Sequence, residues 1–201
     1  MDRRSFVKLG AVAAGSALVG CGPPWRVVAF ASPNPFVGVR KFGVTPIDYA
    51  GLMIGRKPEP VYLSEKDPKQ QASFQEDKAA LNEKFLEHLL TQARGRGIEV
   101  VPAQGPGDAP FILRPSVDFI EPGFYAAVAA MSSEVHMIVR ITGPDGHVLD
   151  EVSFVHRTSP NSGVSIGGIA IPKDPSSGGR LRTDGAHLGD LVGEYLSARV
   201  G

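Results

Sequence analysis

Val135-His136-Met137-Ile138-Val139-Arg140-Ile141-Thr142-Gly143-Pro144-Asp145-Gly146-His147-Val148-Leu149-Asp150-Glu151-Val152-Ser153-Phe154 reads as a β-hairpin. Val135, Met137, Val139 and Ile141 recur at every second position with His136 and Arg140 between them. That period puts one side of a strand on a core. Pro144-Asp145-Gly146 supplies the turn, and Val148, Val152 and Phe154 continue on the return strand. Just upstream, Phe111–Ile120 is a further strand, in which Pro115 implies an edge position or a bulge because it has no N–H to give a ladder.

Outward from the hairpin, two helices frame the strands. From Gln70 to Arg94, Phe74, Leu81, Phe85, Leu89 and Ala93 fall on one helical stripe, widened by Leu86 and Leu90. Glu76, Asp77, Glu83, Lys84 and Glu87 take the other side, and Gly95-Arg96-Gly97 ends the helix. Leu181–Val200 is the second helix, with Leu188, Leu191, Val192, Tyr195 and Leu196 on one face. Gly185, Gly189 and Gly193 line up four apart, and Asp190 and Glu194 between them favour close packing on the sheet over a helix dimer in lipid. Arg26–Ala31, a segment from Phe42 to Ile54 kinked at Pro46, and Ile98–Val101 are the remaining strands. Residues 56–69, 102–109 and 158–179 read as connections, the last carrying Val164, Ile166, Ile169 and Ile171 among Ser, Gly and Pro. The order β-β-α-β-β-β-β-α predicts an α+β fold, a mainly antiparallel sheet with two helices packed on one face.

The N-terminus is of a different kind. Arg3, Arg4 and Lys8 stand against Asp2, and Leu9–Gly20 is then an uncharged run of 12 residues. A basic segment followed by a short apolar one is an export signal, and it is too short to span hydrocarbon, which takes about 20 residues. It ends in Leu18-Val19-Gly20-Cys21, which resembles the lipobox of bacterial lipoproteins. The resemblance implies that Cys21 receives a diacylglycerol, that cleavage falls before it, and that acyl chains anchor the chain to a membrane. The other reading of the same residues is an ordinary secretory signal. Arg3-Arg4-Ser5-Phe6-Val7-Lys8 also resembles the twin-arginine export signal, departing from it at Asp2 and Val7, and a general secretory route is the alternative. Gly22, where inner-membrane retention would ask for Asp, implies the periplasmic side of the outer membrane. The expected organisation is a signal peptide over residues 1–20, a lipidated tether over 21–25 and one α+β domain over 26–201.

Composition excludes several functions. Residues 1–20 remove three of the 21 basic and one of the 21 acidic residues, which leaves a net charge of −2 and argues against nucleic acid as a partner. Cys21 is the only cysteine, so its lipidation leaves no thiol for catalysis, a disulfide or a thiolate metal site. No cofactor motif is present: Gly167-Gly168 and Gly178-Gly179 lack the spacing of phosphate-binding loops and read as flexible loop residues. Among His88, His136, His147, His156 and His187 no pair has metal-ligand spacing, although His136 and His156 fall on paired strands. Asp118 with Glu121 and Asp150 with Glu151 are neighbouring acids of the type found on solvated strand ends.

Ile120–Met131 carries Phe124, Tyr125 and Met131 in an almost uncharged stretch between two strands. These three residues are contact candidates for a protein partner or lipid at a sheet edge, or else they fold over the core. The layout of the domain, together with Ala109-Pro110-Phe111-Ile112-Leu113-Arg114-Pro115, resembles small periplasmic lipoproteins, including auxiliary lipoproteins of envelope ABC transporters and the N-terminal domain of TolB. The expected function is a non-catalytic binding or assembly module with an envelope protein as partner and no cofactor or metal. A lipid or small-ligand carrier and a cell-envelope hydrolase are the alternatives.

Overall fold

The computed structural model describes residues 23–126, 129–159, 164–166, 169–171 and 177–201, with backbone alone for 124–126, 129–130, 164–166, 169–171 and Ser177. In chain order the elements are β1 (Trp25–Ala29), β2 (Lys41–Val44), β3 (Met53–Ile54), β4 (Lys57–Pro58), α1 (Glu59–Ser64), α2 (Pro68–Gly95), β5 (Glu99–Pro102) and β6 (Ile112–Glu121). They continue as β7 (Phe124–Ala126), β8 (Ala129–Met131), β9 (Ser133–Thr142), β10 (Val148–Thr158), β11 (Val164–Ile166), β12 (Ile169–Ile171) and α3 (Ser177–Val200). The fold is α+β, as its sequence implies.

The quoted hairpin is β9 and β10, antiparallel from Val148↔Thr142 to Thr158↔Ser133. It lies inside an eight-stranded sheet ordered β1-β10-β9-β6-β2-β5, with β3 beside β6 and β4 beside β3. The sheet is mixed, though mostly antiparallel. β2 is parallel to both β5 and β6, because α2 carries the chain over the sheet between β2 and β5 and such a crossover returns a strand in the same sense. Val135, Met137, Val139 and Ile141 are buried, as are Val152 and Phe154. The helices cover that face: α3 lies over β9 and β10, and α2 over β5. Asp67 caps α2 by accepting from the Gln70 N–H at 2.8 Å, with Pro68 at the first helical position.

Four local expectations are corrected. The Phe42–Ile54 strand divides into β2 and β3, both parallel to β6 and linked by a single bridge from Asp48 to Ser116. Residues 56–69 contain β4 and the short helix α1, which has too few turns to show a helical period. Pro115 is neither at an edge nor at the bulge, since β6 pairs on both sides and its register shift falls at Asp118. The proline is tolerated because its nitrogen faces the stretch between Thr45 and Asp48, where the neighbouring chain has left the ladder; its carbonyl accepts from the Asp48 N–H at 3.0 Å. The Gly178-Gly179 pair forms the first turn of α3, which begins four residues ahead of the expected start.

The glycine stripe faces α2 and not the sheet. A methyl group added at Gly185 would stand 2.5 Å from the Leu81 carbonyl oxygen, and one at Gly193 2.6 Å from Gln92 Cγ. One at Gly189 would lie 2.8 Å from the Leu89 nitrogen. The contacts advance together along both helices, so α2 and α3 run parallel, backbone against backbone. No described helix is long and apolar enough to cross a membrane.

Gly189→Ala must push the helices apart, and it is expected to cost about 1–3 kcal/mol in urea unfolding. Gly95→Ala, where nothing lies within 4 Å of the added methyl, is expected to be neutral or slightly stabilising in the same assay.

Candidate functional site

At one end of the molecule the first residue of β9 and the last of β10 pair, Ser133 against Thr158, with both side chains buried beneath α3. Into this corner α3 sends Asp184, which is fully buried. Its carboxylate accepts from Ser133 Oγ at 2.6 Å and Thr158 Oγ1 at 2.6 Å, and meets His156 Nδ1 at 2.8 Å. Three partners offset the loss of water that would otherwise make a buried carboxylate untenable. One turn along α3, His187 stacks on His156 with ring centroids 4.5 Å apart and planes 17° from parallel. His88 of α2 adds a contact to Asp190 of α3 at 3.1 Å. The seam between α2, α3 and β10 therefore gathers three of the five histidines.

This arrangement constrains the chemistry. Holding Nδ1 against a carboxylate assigns the proton to that nitrogen and leaves Nε2 of His156 as the basic one. The hydroxyl of Ser133 is committed to Asp184 rather than to His156, so nucleophile, base and acid are not in series. Among the described residues no group of three His, Asp, Glu or Cys side chains is placed to hold a metal ion. Desolvation, then the neighbouring His156, hold His187 below the ordinary histidine range.

A second buried acid, Asp150, sits near the opposite end of the hairpin. Arg199 of α3 grips it through Nε at 2.7 Å and Nη2 at 3.1 Å, the Ala31 N–H donates at 3.0 Å, and the Tyr195 hydroxyl donates as well. Burial, then the Asp150 carboxylate, push the Tyr195 phenol well above its usual range. This cluster ties the end of β1 and the last turn of α3 to β10, and Trp25, Phe154 and Tyr195 pack around it.

The other sequence candidates are dispersed. His136 pairs in register with Val155, and His156 with Val135, so the two histidines lie on opposite faces of the sheet. His136 meets Glu134 at 2.6 Å and packs on Phe119 on the uncovered face, where Arg157 and Arg140 pair with Glu134 and Glu151. Asp150 and Glu151 are likewise divided between faces; Asp118 is exposed, and Glu121 accepts from the Gly123 N–H at 3.3 Å. Phe124, Tyr125 and Met131 belong to a separate two-stranded hairpin, Phe124↔Met131 and Tyr125↔Ala130, which prolongs two interior strands beyond the sheet and is not at its lateral edge. Met131 is 40% exposed. Arg3, Arg4, Leu18, Val19, Gly20 and Cys21 lie outside the described residues.

Two clefts border this end. One of about 220 Å³ lies between α1, α2 and Pro122, lined by Tyr62, Lys66, Gln70, Ser73, Phe74 and Asp77. The other, about 440 Å³, lies on the uncovered face between Pro23, Pro24, His136 and Val155. Both mix polar and apolar walls.

The Asp184 cluster had a legible trace in the sequence. Asp184 interrupts the apolar stripe of α3 between Leu181 and Leu188, and Asp150 holds an inward position of β10 two residues before Val152. An acid on an apolar stripe announces a buried partner, but the spacing does not say which.

No protein-family model matches the chain, and no curated protein matches it in sequence. Among solved structures it is similar to the PelC dodecamer from Paraburkholderia phytofirmans, with a TM-score of 0.45 and 11% identity over 83% of this chain and 96% of that one. A single-substitution form of that dodecamer gives 0.42 and 13% over 84% and 95%. A hypothetical protein from Chlamydia trachomatis gives 0.43 and 12% over 80% and 99%. At these values no property of those proteins passes to this chain.

Asp184→Ala leaves two buried hydroxyls without their acceptor and is expected to cost about 3 kcal/mol in urea unfolding. His187 is faced by His156 from β10, His88 from α2, and Asp184 and Asp190 on its own helix. Because its folded pKa is depressed, the unfolded chain takes up its proton first as pH falls. Stability should therefore drop as pH is lowered through about 6.5 toward the folded value. A thermal-melt series against pH should show this fall, and His187→Gln should make it shallower.

Proposed function

We propose that the chain is a lipid-anchored envelope protein that serves as a non-catalytic binding or assembly module, held through Cys21 at the periplasmic face of the outer membrane. The observation that carries this reading is the β1 border. Among the described residues β1 is an outer strand of the sheet, Val27 and Val28 on it are 41% and 52% exposed, and it begins four residues after Cys21. A strand with a free edge and exposed valines offers backbone groups and apolar surface to a protein partner. Arg3 and Arg4 fit twin-arginine export, with general secretion as the alternative route.

A hydrolase is the second reading, and the Asp184–His156 contact favours it. It requires Nε2 of His156 to act on a substrate without help from Ser133, whose proton is already given to Asp184.

Cys21→Ala is expected to move the protein from the membrane to the soluble fraction as a folded domain with an unchanged unfolding curve. Tight membrane association of that variant would overturn anchoring through a single residue. In-cell cross-linking of the lipidated chain is expected to recover one reproducible envelope complex; loss of turnover on His156→Ala, with no complex recovered, would favour the hydrolase instead.

A further inference from the structure

We infer that the small hairpins β7–β8 and β11–β12 rest on the surface of the bilayer to which the chain is anchored, so that the Asp184 end of the domain faces the membrane. The inference rests on the lipid-anchor reading and adds to it an orientation and a contact surface.

Chain direction places the anchor. Trp25 pairs with Phe154 and Ala29 with Glu151, antiparallel, so residues ahead of Trp25 travel toward Thr158. Pro23 and Pro24 do so, lining a cleft with His136 and Val155. The four steps from Trp25 back to Cys21 span at most about 14 Å, roughly the distance β10 covers from Phe154 to Thr158. An acylated Cys21 is therefore confined to the neighbourhood of the end at which β6 and β10 finish and β9 starts.

Both hairpins are attached at that same end. β7–β8 joins β6 to β9, and β11–β12 lies between β10 and α3. Their composition sets them apart, since residues 122–133 and 159–172 contain no charged side chain. Register gives β11–β12 one aliphatic face, Val164 with Ile171 and Ile166 with Ile169, backed by Ser165 and Ala170. It puts Phe124 and Met131 together on one face of β7–β8 and Tyr125 on the other. Aromatic and aliphatic residues without charge, held beside acyl chains, suit the headgroup–acyl boundary. Exposed charge occurs at both ends, Arg56, Lys57, Lys69 and Arg157 near the hairpins and Arg40, Lys41, Arg96, Glu99 and Asp145 at the other, so the orientation rests on the anchor's reach and on the uncharged hairpins. The exposed Phe30 at that other end lies beneath the Arg199 guanidinium.

The test uses the full chain purified from producing membranes and placed in phosphatidylethanolamine–phosphatidylglycerol vesicles carrying headgroup-proximal spin-labelled lipid. Acylation of Cys21 leaves no other thiol, so Met131→Cys and Asp145→Cys each accept one fluorophore, and the mass of the N-terminal peptide reports acylation separately. The label at position 131 is expected to be quenched by the spin-labelled lipid and the label at 145 not. An acylated chain in which position 131 is unquenched, because the hairpin lies on the protein or faces water, overturns the inference and leaves the anchor standing. Quenching at 145 in place of 131 overturns it by reversing the orientation. In a Cys21→Ser background, where position 131 again carries the single label, quenching on added vesicles supports the contact surface independently of the anchor. In the same background, Phe124→Ser is expected to lower vesicle partitioning about tenfold; unchanged partitioning would count against the β7–β8 contact.

Discussion

Two helices meeting backbone to backbone are the constraint on which the remaining geometry depends. Gly185 and Gly189 bring α3 against main-chain atoms of Leu81, Phe85 and Leu89 in α2, and Gly193 makes room for the Gln92 side chain. The contacts advance in step along the two helices, and both helices lie over the same face of the sheet. This arrangement also packs the Leu81, Phe85, Leu89 stripe of α2 into one core with Leu181, Leu188 and Val192 of α3. Larger residues at the stripe would separate the helices and open that core to water.

With the helices held, two buried acids pin α3 to the hairpin near its two ends. Asp150 takes the last turn of α3 through Arg199 and Tyr195, and Asp184 takes an early turn to Ser133, His156 and Thr158. Neither is a surface ion pair with a marginal contribution; each carboxylate is wholly buried and satisfied by several partners, so removing it strands the donors around it. The same pins orient the molecule. One gathers the end of β1 and the last turn of α3, and the other holds His156, on which His187 stacks, at the end where β9 starts.

The alternation in β9 and β10 and the apolar stripe of α2 were legible because a strand repeats every two residues and a helix every 3.6, and each long element shows its period several times. β3, β4 and α1 were not, since two to six residues display no period. The mistaken position of Pro115 has a similar origin. Local chemistry says that a proline cannot donate, whereas only the neighbouring chain, leaving the ladder after Val44, decides that no donor is wanted there. For the candidate site, Asp150 beside Glu151 looks like a solvated strand-end acid yet is buried, and Asp184 on the α3 stripe does not disclose its partners; the stacking of His156 on His187 joins residues 31 positions apart on different elements.

By itself, the order of residues determined the fold class, the inward face of the hairpin and the two long helices, because each depends on chemistry within a few neighbouring positions. Tertiary structure alone decided which face the glycines meet, that His136 and His156 lie on opposite sides of the sheet, and which donors surround Asp184. Those outcomes depend on how distant segments approach one another, and a side chain's partner across such a distance is set by packing geometry that no local period records.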